Sequence, residues 1–421
     1  MAIPQVFIAT CLAALYFLAV HTRLQPPSIE YTAGQCAIRP FEDLYTCHAS
    51  PTDHLPGQSP GSWGLWDWKP VCFHGHTNQA HDPTYCLVSS AGYNDGHGVS
   101  IVAVKEGIQY YYDIIFKNVA LSSGLKQPTA RSYEKRAIPG KGVGILATKA
   151  IARGETFMTS FPAIIFDNEV RNFLEESPDI YYLYQRAEDQ LANPQRVMSL
   201  AKSVGGGGQP LEAILRTNSH VGQINGRATA LVYPEVARLN HACNPSALAR
   251  LSSTNLAMDV IATRDIAVGE EITISYIDET MTTAERRKLL HSTFGFKCFC
   301  KLCSASRDVV KVSDENRVRL AEIWSTFSQA REGRIAFGIG EVRDLASEVE
   351  RLAIVENLGP STLKRYFHDL MRTLFEHGDI ASAILYAQKA LHLAEEFDGA
   401  VDVDGLQRAL RHNLEILQTY V

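Results

Sequence analysis

Three cysteines within six residues, Cys298-Phe299-Cys300-Lys301-Leu302-Cys303, form the densest group of chemically active side chains in the sequence. Thiolates that close together are one short of the four-ligand tetrahedral shell that zinc takes, and Cys243 is the natural fourth. A free or redox-active thiol cluster is the alternative, but no oxidoreductase pattern accompanies it. Cys243 itself lies in Arg238-Leu239-Asn240-His241-Ala242-Cys243-Asn244-Pro245-Ser246, where an amide, an imidazole and a thiol fall within four positions. The proline that follows keeps them out of a long helix, so the stretch reads as a site, not as a core element.

Two further segments carry candidate groups. Gly269-Glu270-Glu271-Ile272-Thr273-Ile274-Ser275-Tyr276 alternates like a strand and ends on Tyr276. Gly140-Lys141-Gly142-Val143-Gly144 reads as a glycine turn, against whose bare backbone a ligand can lie. Each feature alone has a plainer explanation: a core histidine bonded to backbone, a half-buried aromatic, an ordinary turn. Their order along one chain is far harder to obtain by chance.

The elements that must place these groups follow from the rest of the chain. At 421 residues it exceeds a single core, so two or three domains are expected. A formal charge of −6 leaves no global electrostatic footprint for nucleic acid, and no direct nucleic-acid contact is expected. From Ile3 to Val20 the chain is almost wholly apolar and carries no charge. Residues 1–23 are therefore expected to be a signal peptide or a signal anchor, since the run approaches the roughly 17–25 residues of a spanning helix. That places the protein in the secretory pathway or on a membrane tether, and in nucleus or cytoplasm if the leader is not used. Residues 24–125 are expected to be a loop-rich, cysteine-containing region in which Cys36, Cys47, Cys72 and Cys86 form two disulfides, with three connectivities open. His74, His76 and His81 match no standard zinc spacing.

An internal echo links Gly96-His97-Gly98-Val99-Ser100-Ile101-Val102-Ala103-Val104-Lys105 to Gly140-Lys141-Gly142-Val143-Gly144-Ile145-Leu146-Ala147-Thr148-Lys149. Both read as a glycine turn feeding a strand, with Ser100 standing where the second copy has Gly144. The pattern from about 167 to 215 is helical, with Phe173, Leu174, Tyr181, Leu183 and Tyr184 as buried positions and a break at Gly205 to Gly208. Thr282 and Glu285 stand in capping-box positions and open a helix through about Leu290. Past Ser306 the chain turns to amphipathic helices, and Gly378 to Leu391 has tetratricopeptide-like small-residue spacing.

Glycine turn, Asn-His-x-Cys, Gly-Glu-Glu-Ile-Thr-Ile-Ser-Tyr and then Cys-x-Cys-x-x-Cys is an order that resembles the SET-domain protein lysine methyltransferases with a post-SET zinc module. The layout is similar to the SET-and-MYND group without the MYND finger, and to the fungal SET protein 5 type. The resemblance covers roughly residues 130 to 306 and implies an α+β fold. Its parts are a β-rich SET domain of short curved sheets over 130–280 with the helical insertion at about 167–215, a post-SET zinc module over 281–306, and an all-α tetratricopeptide-like domain over 307–421 that contacts other proteins. It also implies that Lys141, Gly142, Val143, Gly144, Asn240, His241 and Tyr276 hold S-adenosylmethionine, with Phe296 packing on it. Tyr276 would be the catalytic tyrosine, and Cys243, Cys298, Cys300 and Cys303 would hold Zn2+. The substrate channel would include Asn218, Ser219 and His220, with His220 where the family has an aromatic wall. The implied reaction moves a methyl group to the Nε of a protein lysine. Where the family's motif has Ser and Asn, this chain has Ala242 and Ser246. Two other readings stand beside this one: a non-catalytic, zinc-stabilised interaction protein that binds through its helical tail, and a secreted or membrane-tethered cysteine-rich protein whose early region is the functional part.

Overall fold

A computed structural model describes residues 66–74, 83–117, 131–174, 178–201, 209–252, 255–336, 338–397 and 406–419. The expected leader, Cys36, Cys47, His76, His81 and the Gly205 to Gly208 break lie outside them. Among the described residues no helix is long and apolar enough to cross a membrane.

In chain order the strands are β1 (Val71–His74), β2 (Thr84–Ser90), β3 (Val99–Val104), β4 (Tyr133–Ile138), β5 (Gly142–Ala147), β6 (Thr156–Ser160), β7 (Ile164–Asp167), β8 (Ser219–Ile224), β9 (Arg227–Val232), β10 (Asn240–His241), β11 (Ala247–Leu251), β12 (Met258–Ala262) and β13 (Glu271–Ile274). The helices are α1 (Ile108–Tyr112), α2 (Glu169–Leu174), α3 (Pro178–Asp189), α4 (Pro194–Met198), α5 (Pro210–Asn218), α6 (Thr283–Phe294), α7 (Arg307–Arg331), α8 (Ile339–Val355), α9 (Pro360–Glu376), α10 (Ile380–Phe397) and α11 (Leu406–Gln418). The fold is α+β, with short sheets followed by a helical tail. Two compact units interleave along the sequence: one from 1–125, 160–237 and 255–257, the other from 126–159, 238–254 and 258–421.

The first unit is built on a six-stranded sheet in the order β1-β2-β3-β7-β9-β8, antiparallel except where β3 runs parallel to β7. The expectation of a loop-dominated N-terminal region is corrected here for the residues described. Val99, Ile101 and Val102 of β3 and Leu87 and Val88 of β2 are fully buried, and β3 pairs with β2 on one edge and β7 on the other. Short β-branched runs between glycine turns make strands, and the density of Pro, Gly and Trp just upstream hid that signal. Cys72 and Cys86 sit opposite each other on β1 and β2 and are disulfide-bonded. The helices from α2 to α5 cover one face of the sheet, with Leu174, Leu183, Tyr184 and Ile214 packed among Phe73, Leu87, Val102 and Phe166. Tyr181, expected to be buried, is exposed. Ile180, Leu183, Tyr184 and Ala187 form the buried stripe of α3, and Tyr181 falls off that face.

The second unit holds a four-stranded sheet, β10-β13-β5-β4, and a three-stranded one, β11-β12-β6. Leu248 of β11 and Ile261 of β12 pack into the core of the helical tail with Leu320, Phe327, Leu352, Leu370 and Leu374. In α10 the small residues Ala383, Ala387, Ala390 and Ala394 are fully buried, which lets this helix lie close against α9. The turn between them passes through Gly378 at φ +78°, a conformation that favours glycine.

Candidate active site and metal centre

The site is assembled by a two-residue strand too short to show any period. Asn240 pairs in parallel with Thr273, and His241 with Ile274. This register carries the chain beyond β13 over the histidine: the backbone N–H of Tyr276 donates to His241 Nδ1 at 3.1 Å. The Tyr276 hydroxyl donates to the Leu239 carbonyl at 2.6 Å. Burial, reinforced by the charge of Glu271, pushes the Tyr276 phenol well above its usual range, so it stays protonated at neutral pH. Burial likewise holds the His241 imidazole down, to about 4, so it stays neutral.

Aromatic rings close around this pair. The His241 and Tyr276 centroids lie 5.3 Å apart, Tyr276 and Phe294 5.1 Å, and Phe296 stands 6.2 Å from His241 and 6.4 Å from Tyr276. Phe294 was not singled out from the sequence. A signal existed in Phe294-Gly295-Phe296: Gly295 ends α6 in the left-handed conformation, φ +69°, which folds the two rings back onto one side. The α6 capping box forms as expected, with the Glu285 carboxylate accepting the Thr282 N–H at 2.7 Å, and the helix continues past Leu290 to Phe294.

Beside Asn240 lies the glycine turn. An added Cβ on Gly144 would come within 2.7 Å of both Asn240 Nδ2 and Ile138 Cγ1, so the missing side chain is what admits the amide. Asn240 Nδ2 donates to Glu271 Oε1 at 2.9 Å, and Lys141 Nζ to Glu271 Oε2 at 2.5 Å. Glu271 therefore joins the turn to the Asn-His pair, a role that Gly-Glu-Glu in sequence does not distinguish from that of Glu270, which instead meets Arg264. Gly142 and Val143 are exposed along this rim, while Gly144 is buried against the Asn240 amide.

On the other side of His241, Nε2 lies 3.3 Å from Cys243 Sγ. The four sulfurs of Cys243, Cys298, Cys300 and Cys303 all lie within 4.8 Å of one another, with Cys243 4.0 Å from Cys298 and 3.5 Å from Cys303. A zinc ion with Zn–S bonds of about 2.3 Å would set tetrahedral sulfurs ~3.8 Å apart, so the donor set fits zinc in type, number and spacing.

Asn218, Ser219 and His220 belong to the first unit, at the end of α5 and the start of β8, whereas the other candidate residues all belong to the second. Ser219 Oγ donates to the Leu215 carbonyl, and Asn218 Oδ1 accepts from Thr217 Oγ1 at 2.8 Å. The His220 ring stands edge-on to Tyr233 at 5.9 Å, and burial holds its pKa down to about 4.

Comparison with known proteins agrees with this arrangement. Residues 142–277 match the SET domain family model. The histone-lysine N-methyltransferase set5 of Schizosaccharomyces pombe is 27% identical over 278 residues, covering 63% of this chain and 79% of that protein. The N-lysine methyltransferase SMYD2-B of Danio rerio is 40% identical over 87 residues, 20% of each chain. The histone-lysine N-methyltransferase SMYD3 of Homo sapiens is 43% identical over 72 residues, 17% of this chain and 16% of that one. With the last two, then, the likeness spans a fifth of their length or less. The matched interval holds Gly142 to Gly144, Asn240, His241 and Tyr276, the groups that β5, β10 and β13 bring together, so the chain carries a SET domain and is similar to SET-domain protein-lysine methyltransferases.

Proposed function

We propose that this protein transfers a methyl group from S-adenosylmethionine to the Nε of a lysine in a protein substrate. The observation that carries the reading is the convergence of Tyr276, His241 and Asn240 beside the Gly142 to Gly144 backbone. The residues fit the cofactor: Glu271 and Lys141 offer a carboxylate and an ammonium complementary to the two ends of an amino acid, next to the Asn240 amide. Tyr276, Phe294, Phe296 and His241 offer an aromatic wall suited to a cationic centre. When bound, S-adenosylmethionine supplies an electrophilic sulfonium methyl.

The chain's own residues must present a neutral amine. A free lysine has pKa near 10.4, so deprotonation at pH 7 costs about 4.6 kcal/mol (~3.4 units). Burial beside aromatic rings disfavours the ammonium and lowers that cost. Tyr276 is no base, since its proton is held by burial and given to the Leu239 carbonyl. Its oxygen retains lone pairs, which can accept an N–H from the amine and aim the nitrogen. His241 stays neutral and fixes the backbone at Tyr276 through Nδ1. The four cysteines would hold zinc as a structural ion that ties the chain after α6 to Cys243 and brings Phe296 to the site.

Calorimetric titration of zinc-loaded protein with S-adenosylmethionine tests the reading, and absence of binding sinks it. In Tyr276→Phe, turnover on lysine-containing protein should fall on the order of 10²–10³-fold while cofactor affinity is kept. Unchanged turnover would remove Tyr276 from the mechanism.

A further inference from the structure

One turn of the helical tail grips both segments that carry the site. Glu356-Asn357-Leu358-Gly359 joins α8 to α9. Asn357 Nδ2 donates to Asn244 Oδ1 at 2.7 Å, and Asn244 directly follows Cys243. The Gly359 N–H donates to Glu279 Oε2 at 2.6 Å, joined by Thr362 Oγ1 at 3.4 Å, and Glu279 stands three residues beyond Tyr276. A carboxylate is well placed there, because Gly359 is the N-cap of a 17-residue helix whose first N–H groups have no partner inside the helix. The turn is itself anchored: Glu356 accepts from Ser313 Oγ at 2.5 Å and Asn316 Nδ2 at 2.7 Å, and pairs with Arg317 at 3.2 Å.

The fit leaves no room to spare. A Cβ on Gly359 would lie 2.7 and 2.9 Å from the two Glu279 carboxylate oxygens. Gly359 has φ −68°, open to any residue, so the demand here is for space and not for a special backbone conformation. Asn357 is the reverse case: at φ +50° it occupies the left-handed region, and its side chain is the part that reaches Asn244.

Given the methyl-transfer reading above, we propose that the turn from Glu356 to Gly359 is a positioning element of that site. It holds the loop after Tyr276 through Glu279 and the Asn240 to Ser246 segment through Asn244, so that Tyr276 and the Asn240-His241 pair keep their mutual register. Glu279, Asn357 and Gly359 are then positioning residues. The tail serves the chemistry as well as any partner it binds: it adds two outer anchors to the hydrogen bonds that join these segments directly, Ala242 N–H to the Ile274 carbonyl, Ser246 N–H to the Thr273 carbonyl and Thr273 N–H to Ser246 Oγ.

The test uses the full zinc-loaded chain and four variants, Glu279→Ala, Glu279→Gln, Gly359→Ala and Asn357→Gly. Readouts are hydrogen exchange over residues 240–247 and 273–282, and kcat and KM measured separately on a lysine peptide. Glu279→Ala and Gly359→Ala should speed exchange over 273–282 and lower kcat about 10- to 10²-fold, with KM within about twofold, because the loss is one of placement. Glu279→Gln keeps an acceptor for Gly359 and should recover most of the turnover lost in Glu279→Ala. Asn357→Gly keeps the left-handed backbone and should speed exchange over 240–247 only, which decides the matter even if Gly359→Ala fails to fold. Exchange unchanged in Glu279→Ala and Asn357→Gly overturns the proposal, as does a kcat for Glu279→Ala within twofold of the parent. A parent protein without turnover defeats the methyl-transfer reading instead, and the exchange data then judge the turn separately.

Discussion

The stretches Gly96 to Lys105 and Gly140 to Lys149 are nearly the same sentence written twice, and the fold uses them for opposite ends. Both begin with a glycine at positive φ, Gly96 and Gly140, and both run into a strand, β3 and β5. The strand β3 lies between β2 and β7 in the sheet of the first unit, where Ser100 is fully buried with its hydroxyl 3.0 Å from that of Ser89. In β5 the matching position is Gly144, also buried, with the Asn240 amide in the space a side chain would take. The turn chemistry makes the strand in each case. What meets the third small position differs: the Ser89 hydroxyl in one strand, the amide of the candidate site residue Asn240 in the other.

The largest effect should come from removing metal. Chelation, or Cys298→Ser, should unravel the chain after α6, since zinc held by thiolates contributes on the order of 10 kcal/mol to local folding. Hydrogen exchange should rise over residues 281–306 and around Cys243 while β3 and β7 keep their protection. Equal loss in both sheets, or purified protein with no zinc, would contradict the division between them.

Exchanging the third small residue addresses the echo directly. Gly144→Ser forces the Asn240 amide aside, and overpacking of this kind costs about 1–3 kcal/mol. Affinity for S-adenosylmethionine should fall roughly 10- to 10²-fold by calorimetry with the fold intact. The reciprocal Ser100→Gly should leave cofactor affinity alone and lower the melting stability of the first unit by about 1–2 kcal/mol, from added backbone freedom and one lost hydrogen bond. If Ser100→Gly weakens cofactor binding as much as Gly144→Ser, the two strands are not functionally distinct.

Acid should act on the first unit more gently. Burial holds His220 down to about 4, against roughly 6.5 unfolded. A histidine lowered in the fold contributes stability that is present above its unfolded pKa and lost as pH falls toward the folded one. Protection over β8 and β9, taken relative to the intrinsic exchange rate at each pH, should therefore fall between about pH 6.5 and 4, and His220→Phe should flatten that dependence. A His220→Phe profile that matches the parent would show that some other group titrates.

Legibility tracked how local each signal was. The Cys298 to Cys303 cluster, the Thr282 and Glu285 capping box and the two glycine turns each declare themselves within a few residues, because metal geometry, helix ends and positive φ make local demands. Glu271 and Phe294 were missed because their meaning depends on Asn240 lying opposite Thr273 and on Gly295 turning a ring inward. The strands β1 and β2 were obscured by neighbouring turn residues, whereas β3 followed from its glycine turn; their membership of a sheet shared with β7 to β9 is a matter of long-range pairing.

Residue types and spacing were thus enough to point to the SET-domain likeness, the four cysteines that come together and the α+β order, since each rests on short local patterns. Tertiary structure was needed to choose between Ser100 and Gly144, to make Glu271 the link between Lys141 and Asn240, and to bring Glu279 and Asn244 to one turn of the tail. Those outcomes are set by pairing between segments far apart in the chain, and no local propensity encodes a register that a short parallel pair, its flanking hydrogen bonds and a distant helix cap jointly hold.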